Sequence, residues 1–179
     1  MKKAIIVILA LSFMTAQAKI IDKIAIIVNN RAVTYHQLEK IYQAREVIFE
    51  YAVCESCKSE MNGQISAESL VNLADYFMDH YQGFEQREPL LKTFDNSIHE
   101  WINECIFTGT LRSECQDFQL CAECAGDQLT VSFMPFMVSG HATEEIQSLL
   151  SEETQKSFRR FSQNVLNPPA DVKNLPVFI

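Results

Sequence analysis

Glycine is scarce in this chain, with five residues in 179. None of the five falls in a G-x-S-x-G elbow, a P-loop or a dinucleotide fingerprint, where the backbone must pass close to a nucleophile or a phosphate. Hydrolase, nucleotide-hydrolysing and Rossmann-type chemistry therefore have no motif to rest on. Histidine is equally scarce. His36, His80, His99 and His141 are scattered, and His99-Glu100 is followed by Asn103 where a zincin needs its second histidine. Each reads as a surface or satisfied polar residue. Positive charge is the third shortage: 15 Lys and Arg stand against 23 Asp and Glu, a net charge of −8. Such a chain repels phosphate backbones and anionic lipid, which speaks against nucleic acid and membrane surfaces as partners. Past Met14 no run is apolar enough to cross a bilayer, for which about 20 residues are needed. Internal repeats and low-complexity linkers are also missing.

What is present begins with an export signal. Lys2-Lys3 precede an apolar run from Ala4 to Met14, and Ala16 and Ala18 give an A-x-A cleavage pattern. The run is too short for a membrane anchor, so residues 1–18 are expected to be removed, leaving one domain over 19–179 in the periplasm or the medium. That mature part has 161 residues, with 13 basic and 23 acidic side chains and a formal charge of −10. It keeps all six cysteines: Cys54, Cys57, Cys105, Cys115, Cys121 and Cys124. An even number in an exported chain implies disulfides, and six allow fifteen pairings.

The stretch from Ile20 to Leu38 organises the rest. Ile24 to Val28 is a β-branched run that reads as a buried strand. Asn29-Asn30 turns it, Arg31 to Val33 returns, and Thr34 caps a helix with Gln37 in the capping-box position. Ile21, Asp22, Lys23, Ile24, Val28, Asn29, Val33, Thr34 and Leu38 fit the pattern that opens the N-terminal domain of SurA-type periplasmic chaperones, with Gln37 where that family has an acid. The stretch resembles that family over about twenty residues. A second, weaker likeness runs from Thr143-Glu-Glu-Ile146 through Phe158-Arg-Arg-Phe161. The resemblance implies a mostly α fold with a small β element, opened by a β-hairpin and stapled by disulfides. It also implies the chaperone part without a parvulin prolyl-isomerase domain, of which no His-containing strand or Gly-Gly-Asp-type loop is present.

Periodicity extends that expectation along the chain. The Thr34 helix is expected to run to about Ala52, although Glu46 to Val53 also reads as a strand. Cys54 to Gly63 reads as a polar connection. Ser66 caps a helix ending at Gly83, with Leu70, Leu73, Ala74, Phe77, Met78 and Tyr81 on one face. Pro89 opens a third helix that carries Leu91, Phe94, Ile98, Trp101, Ile102 and Cys105 and stops at Gly109. Cys115 to Gly126 reads as a helical turn or stapled loop, and Leu129 to Val138 as extended, with Pro135 barring a central strand position. Gly140 and Thr143 begin a last helical region that Ser151 would break in two and Asn167-Pro168-Pro169 ends. The apolar tail Leu175 to Ile179 is expected to pair with the Ile24–Val28 strand.

Cys54-Glu-Ser-Cys57 and Cys121-Ala-Glu-Cys124 share the C-x-x-C spacing, and three readings compete. A Cys₄ zinc site would have to join pairs separated by 63 residues in an oxidising compartment. A redox pair is suggested because Val47 to Val53 followed by Cys54-Glu-Ser-Cys57 is similar to the strand and motif of thioredoxin-like oxidoreductases, with Ser132 to Gly140 similar to their cis-proline strand. Against it stand the absent aromatic before Cys54, the missing β-α-β order, and Glu55, whose charge would raise the thiol pKa. Structural staples are the reading the residues favour. The functional expectation is thus an exported, non-catalytic protein that holds unfolded or extended polypeptide clients in a shallow apolar groove. Tyr42, Phe49, Phe77, Tyr81 and Trp101 are its candidate lining, though each also suits a core. No metal or cofactor is expected. The alternatives are a thiol-disulfide oxidoreductase using Cys54 and Cys57, and a stapled subunit of an envelope or secretion assembly.

Overall fold

Residues 35–44 and 46–54 do not form the helix that Thr34 and Gln37 predict. They form two nine-residue strands, β4 (Tyr35–Gln43) and β5 (Glu46–Cys54), joined at Ala44, which takes a left-handed φ of 48°. Val47, Phe49, Tyr51 and Val53 recur at period two, and a β-branched and aromatic row of this kind suits a pleated surface. Gln, Leu, Glu and Lys in β4 are good helix formers. They are overridden because β4 is hydrogen-bonded along its whole length on both sides, to β5 and to β6 (Asp117–Ala125).

The computed structural model describes residues 19–23, 27–28, 31–32, 35–44, 46–80, 98–125, 128–131, 134–166 and 168, with the backbone alone up to residue 39. Its core is a six-stranded antiparallel sheet in the order β1 (Lys19–Lys23), β7 (Gln128–Val131), β6, β4, β5, with β8 (Phe136–Ser139) also paired to β6. The fold is therefore mixed α/β, which corrects the expectation of a mostly α domain with a small β element. The predicted hairpin is present as β2 (Ile27–Val28) against β3 (Arg31–Ala32). The largest departure after β4 is β6. Its cysteine-dense, polar sequence reads as a loop, yet it lies inside the sheet, with β4 on one side and β7 and β8 on the other. Pro135 sits between β7 and β8, preceded by a cis peptide bond.

The helices come as two consecutive pairs. The first is α1 (Glu55–Asn62) and α2 (Ala67–Asp79); the second is α3 (Gly140–Ser148) and α4 (Glu152–Phe161), split at Ser151 as the sequence predicts. Of the helix expected after Pro89, the described part is a single 3₁₀ turn, Ile98–Glu100, and a tight turn that Gly109 closes with a φ of 67°. Tyr81, Gly83, Pro89 and the Leu175–Ile179 tail lie outside the described residues.

The two pairs meet where two helix N-termini face each other. Ser66 caps α2 and Ser151 caps α4, and their hydroxyls lie 2.8 Å apart. Each cap's backbone N–H donates across the junction: Ser66 N to Thr154 Oγ1 at 3.0 Å, and Ser151 N to Ser69 Oγ at 2.8 Å. Four hydroxyls thus satisfy donors that two helix starts leave open, which is how Ser69 and Thr154 tolerate complete burial.

The apolar interior divides into three clusters. The largest packs Phe118, Cys121, Met137, Val138 and Ile146 with Cys105 to Phe107, and takes Leu73, Tyr76 and Phe77 from α2. A second holds Trp101, Cys124, Leu129 and Val131. The third sits on β4 and β5, where Ile41, Tyr51 and Val53 meet Cys57 of α1, Phe161 of α4 and Leu166 beyond it.

Candidate functional site

Of the residues singled out in the sequence, those at Cys54 and Cys57 acquire the most pointed geometry. The expected polar connection after Cys54 is α1. Cys54, the last residue of β5, becomes the helix N-cap with extended backbone (φ −74°, ψ 158°). Strand, cysteine, helix is an arrangement in which the positive end of the helix faces the thiol. The Cys54 sulfur lies 3.1 Å from the Ser56 hydroxyl. It makes no capping hydrogen bond of standard geometry, yet the N–H groups of Cys57 and Ser56 still favour its charge. The Ser56 hydroxyl acts most strongly, followed by the Cys57 backbone and the Cys57 thiol, and together they bring Cys54 down to about 7. Glu55, expected to push the other way, is not among the causes of that shift.

Cys57 differs in its packing partners and in the direction of its shift. It is half-buried against Ile41, Tyr51 and Val53. Its thiol is pushed up, first because it donates to Cys54 and then because burial disfavours a thiolate. The proton the pair gives up first therefore leaves Cys54, and the thiolate formed is held by its neighbour. Residues three apart on a helix have Cβ atoms about 5–6 Å apart, so a modest closure brings the two sulfurs to bonding range.

The second motif is built differently. Cys121 and Cys124 lie on β6, where three steps span about 10 Å and reverse the face. Cys121 belongs to the largest core cluster and Cys124 to the one around Trp101. They cannot bridge each other across that distance, nor can both join Cys54 and Cys57 around one ion. Among the described residues no three His, Cys, Asp or Glu side chains converge as a metal would require. The two motifs are nevertheless neighbours: the register sets Cys54 and Cys124 opposite the same β4 residue, His36, and Lys58 reaches Glu123 at 3.5 Å.

The remaining cysteines gather elsewhere. Cys105, fully buried, accepts the Ser139 N–H at 3.3 Å, at the start of α3. Burial works to raise that thiol but is outweighed by hydrogen bonds from Ser139 and Thr108, so it stands below its ordinary value. Cys115 packs on the same cluster, which also holds Cys121. No two of the six sulfurs expected to form disulfides are at bonding distance.

The four candidate groove residues among the described ones fall in three different apolar clusters. Tyr42 stacks on Phe118 with ring centroids 4.5 Å apart, and Phe77 meets Phe107 edge-on at 5.3 Å, both in the largest cluster. Phe49 lies half-buried on β5, beside Tyr51. Trp101 is 2% exposed in the second cluster, and Tyr81 lies outside the described residues. Exposed apolar surface occurs instead at Leu70, Val71 and Met78 of α2. Sequence reasoning missed the role of Ser56, although a hydroxyl between the two cysteines was there to be weighed. It also missed the Lys58–Glu123 link, for which no local signal exists. Among the described residues no helix is long and apolar enough to cross a membrane.

No family model, curated protein or solved structure matches the chain. The reading of function rests on the site alone.

Proposed function

We propose that the chain is a thiol-disulfide oxidoreductase in which Cys54 is the nucleophile and Cys57 the resolving thiol. One observation carries this reading: Cys54 closes a strand and caps a helix, with the Ser56 hydroxyl 3.1 Å from its sulfur and Cys57 one turn behind in an apolar setting. The Cys54 thiolate attacks one sulfur of a substrate disulfide. The substrate S–S bond breaks, the departing sulfur takes a proton from water, and a mixed disulfide remains on Cys54. Cys57 then loses its proton and attacks the Cys54 sulfur, which releases the second substrate thiol. Two electrons pass from the Cys54/Cys57 dithiol to the substrate, and the enzyme is left with a Cys54–Cys57 disulfide that an external dithiol must reduce. Run in reverse, the same steps deliver a disulfide to a substrate dithiol. Export, for which residues 1–18 argue, supplies a compartment where such substrates abound.

The test is turnover of a small disulfide by the mature protein with dithiothreitol as reductant. Turnover that Cys54→Ser abolishes, and a mixed disulfide that accumulates in Cys57→Ser, are the expected results. Absence of any turnover, with Cys54 unreactive toward iodoacetamide at pH 8, overturns the reading.

A second reading has its own observation. Leu70, Val71 and Met78 are 51%, 57% and 59% exposed along α2, and apolar side chains in that setting suit the client-holding role that the resemblance to SurA-type chaperones implies. Suppression of client aggregation that survives Cys54→Ser with Cys57→Ser, and fails on Leu70→Glu with Met78→Glu, would favour it.

A further inference from the structure

α4 ends in a wider turn than it begins with. Past Phe161 the chain continues as a π-helical turn, Ser162–Leu166. Residues five apart in an α-helix point about 140° away from each other, at 3.6 residues per turn. In a π turn the hydrogen bonds run between residues five apart, which brings such residues nearly into line. Phe161 and Leu166 accordingly both reach the third cluster, where they and Cys57 pack on Ile41, Tyr51 and Val53. Val165, one residue earlier, is 56% exposed. We propose that Phe161 and Leu166 are positioning residues of the redox site, which wall the apolar seat of Cys57 and so leave Cys54 as the sulfur that attacks the substrate. The inference rests on the redox reading and adds the residues that set its direction.

Two thiols one helical turn apart need a difference in surroundings if only one of them is to attack. Cys54 owes its state to hydrogen bonds, with burial a minor cause. Cys57 is held protonated by two separate causes, first its hydrogen bond to Cys54 and then burial. The first is lost once Cys54 is consumed in a mixed disulfide, because that sulfur no longer carries a charge. Burial is then the larger brake on the resolving step, and whatever builds the apolar seat sets how long the mixed disulfide lasts.

That seat is built from outside the motif. α1 packs on β4, on β5 and on α4. The two strands supply Ile41, Tyr51 and Val53, and the end of α4 supplies Phe161. The start of α4 is fixed by the hydroxyl junction, where Ser151 N donates to Ser69 Oγ and Thr154 Oγ1 accepts from Ser66 N. A helix anchored at one end delivers its other end to a set place, and the π turn then brings Leu166 round beside Phe161.

The experiment uses the full mature chain carrying Cys54→Ser, which imitates the state with Cys54 consumed and leaves burial as the largest remaining cause at Cys57. Alkylation of Cys57 by iodoacetamide is followed across pH by mass spectrometry of the digested chain, with Phe161→Ala, Leu166→Ala, Phe161→Leu or Val165→Ala added. Full burial moves a pKa by up to about 3–5 units, so admitting water to the half-buried Cys57 in Phe161→Ala should lower its midpoint by about one unit and speed its reaction at pH 8 about tenfold. Leu166→Ala should act in the same direction. Phe161→Leu should restore the parent profile, and Val165→Ala should leave it unchanged. Cys121 and Cys124, fully buried, report in the same digest whether the fold holds, and Leu166→Ala carries the comparison should Phe161→Ala loosen it. A Cys57 midpoint that neither alanine moves overturns the wall, while turnover of a small disulfide by the unmutated chain keeps the redox reading in place. Absence of that turnover overturns both.

Discussion

Two segments of this molecule share one sequence spacing and end in opposite chemistry. In Cys54-Glu-Ser-Cys57 the backbone turns from strand to helix at the first cysteine, so both sulfurs come to the same end of one helix. In Cys121-Ala-Glu-Cys124 it stays extended inside a sheet, so the sulfurs part to opposite faces and separate clusters. The difference lies in pairing. β6 is held by strands on both sides and has no freedom to curl. β5 runs out of partner at Cys54, where β4 ends its ladder at His36, and the chain beyond is free to coil. A C-x-x-C pattern is thus a dithiol only where the backbone lets three residues span one helical turn.

The sharpest way to break this comparison is to remove one cysteine from each motif. Cys54→Ser is expected to reduce disulfide exchange to the uncatalysed rate, whereas Cys124→Ser should leave the initial rate of folded protein unchanged. Equal losses would mean that the two motifs act together. Stability should show the reverse order. Cys124 is fully buried beside Trp101, and a serine there strands a hydroxyl among apolar groups at a cost of about 1–3 kcal/mol. Cys54 is more open to solvent, and its replacement should stay within about 0.5 kcal/mol. Urea unfolding of the reduced proteins measures both. A stable Cys124→Ser variant would contradict the packing described here.

How far the sequence foretold this contrast depended on where local and distant forces agreed. Ser66 and Ser151 were legible as helix caps because a hydroxyl ahead of an amphipathic run acts locally, and the break between α3 and α4 followed from the second of them. β4 was not legible. Thr34, Gln37 and the helix formers after them all favour a helix, and only pairing with β5 and β6, the latter more than seventy residues on, decides otherwise. β6 escaped notice for a related reason: Gln119 is buried and Glu123 half-buried, so the polar residues that suggested a loop lie in the sheet. At the site, the cysteine pair was visible, but its value turned on α1. Glu55-Ser-Cys-Lys-Ser-Glu carries little apolar signal, and its helix is anchored chiefly by Met61, which is 1% exposed. The rest of that anchoring comes from the neighbouring strands.

A smaller effect separates the thiols by pH. Alkylation of Cys54 should reach half its maximal rate near pH 7, whereas Cys57 and Cys124 should lag above the ordinary thiol value of 9.0. Ser56→Ala removes the strongest cause and should move the Cys54 midpoint up toward that value. The same shifts fix the sign for stability of the reduced protein. Cys54, depressed on folding, contributes fully above 9.0, and that contribution is lost as pH falls through about 7. Cys57, raised on folding, contributes below 9.0, and its share is lost as pH rises further. Stability of the dithiol form should therefore rise from pH 7 toward 9. A Cys54 midpoint unmoved by Ser56→Ala would show that the helix end alone sets it.

The smallest expected effect tests whether the two motifs feel each other at all. Lys58, next to Cys57, reaches Glu123, next to Cys124, at 3.5 Å, with side chains 27% and 23% exposed. An ion pair this open to water is worth about 0.2–1 kcal/mol, because solvent screens the attraction and two long side chains lose freedom. Lys58→Met and Glu123→Gln, singly and together, form a cycle in which the pair's own contribution is the difference that does not add. A coupling near the top of that range, halved in 1 M salt, is expected if the link holds α1 against β6. The Cys54 midpoint should stay in place in all three variants, since neither charge is among the causes of its shift. A coupling near zero would make Lys58 and Glu123 two separate surface charges, and would leave the β4 register as all that holds the two cysteine motifs side by side.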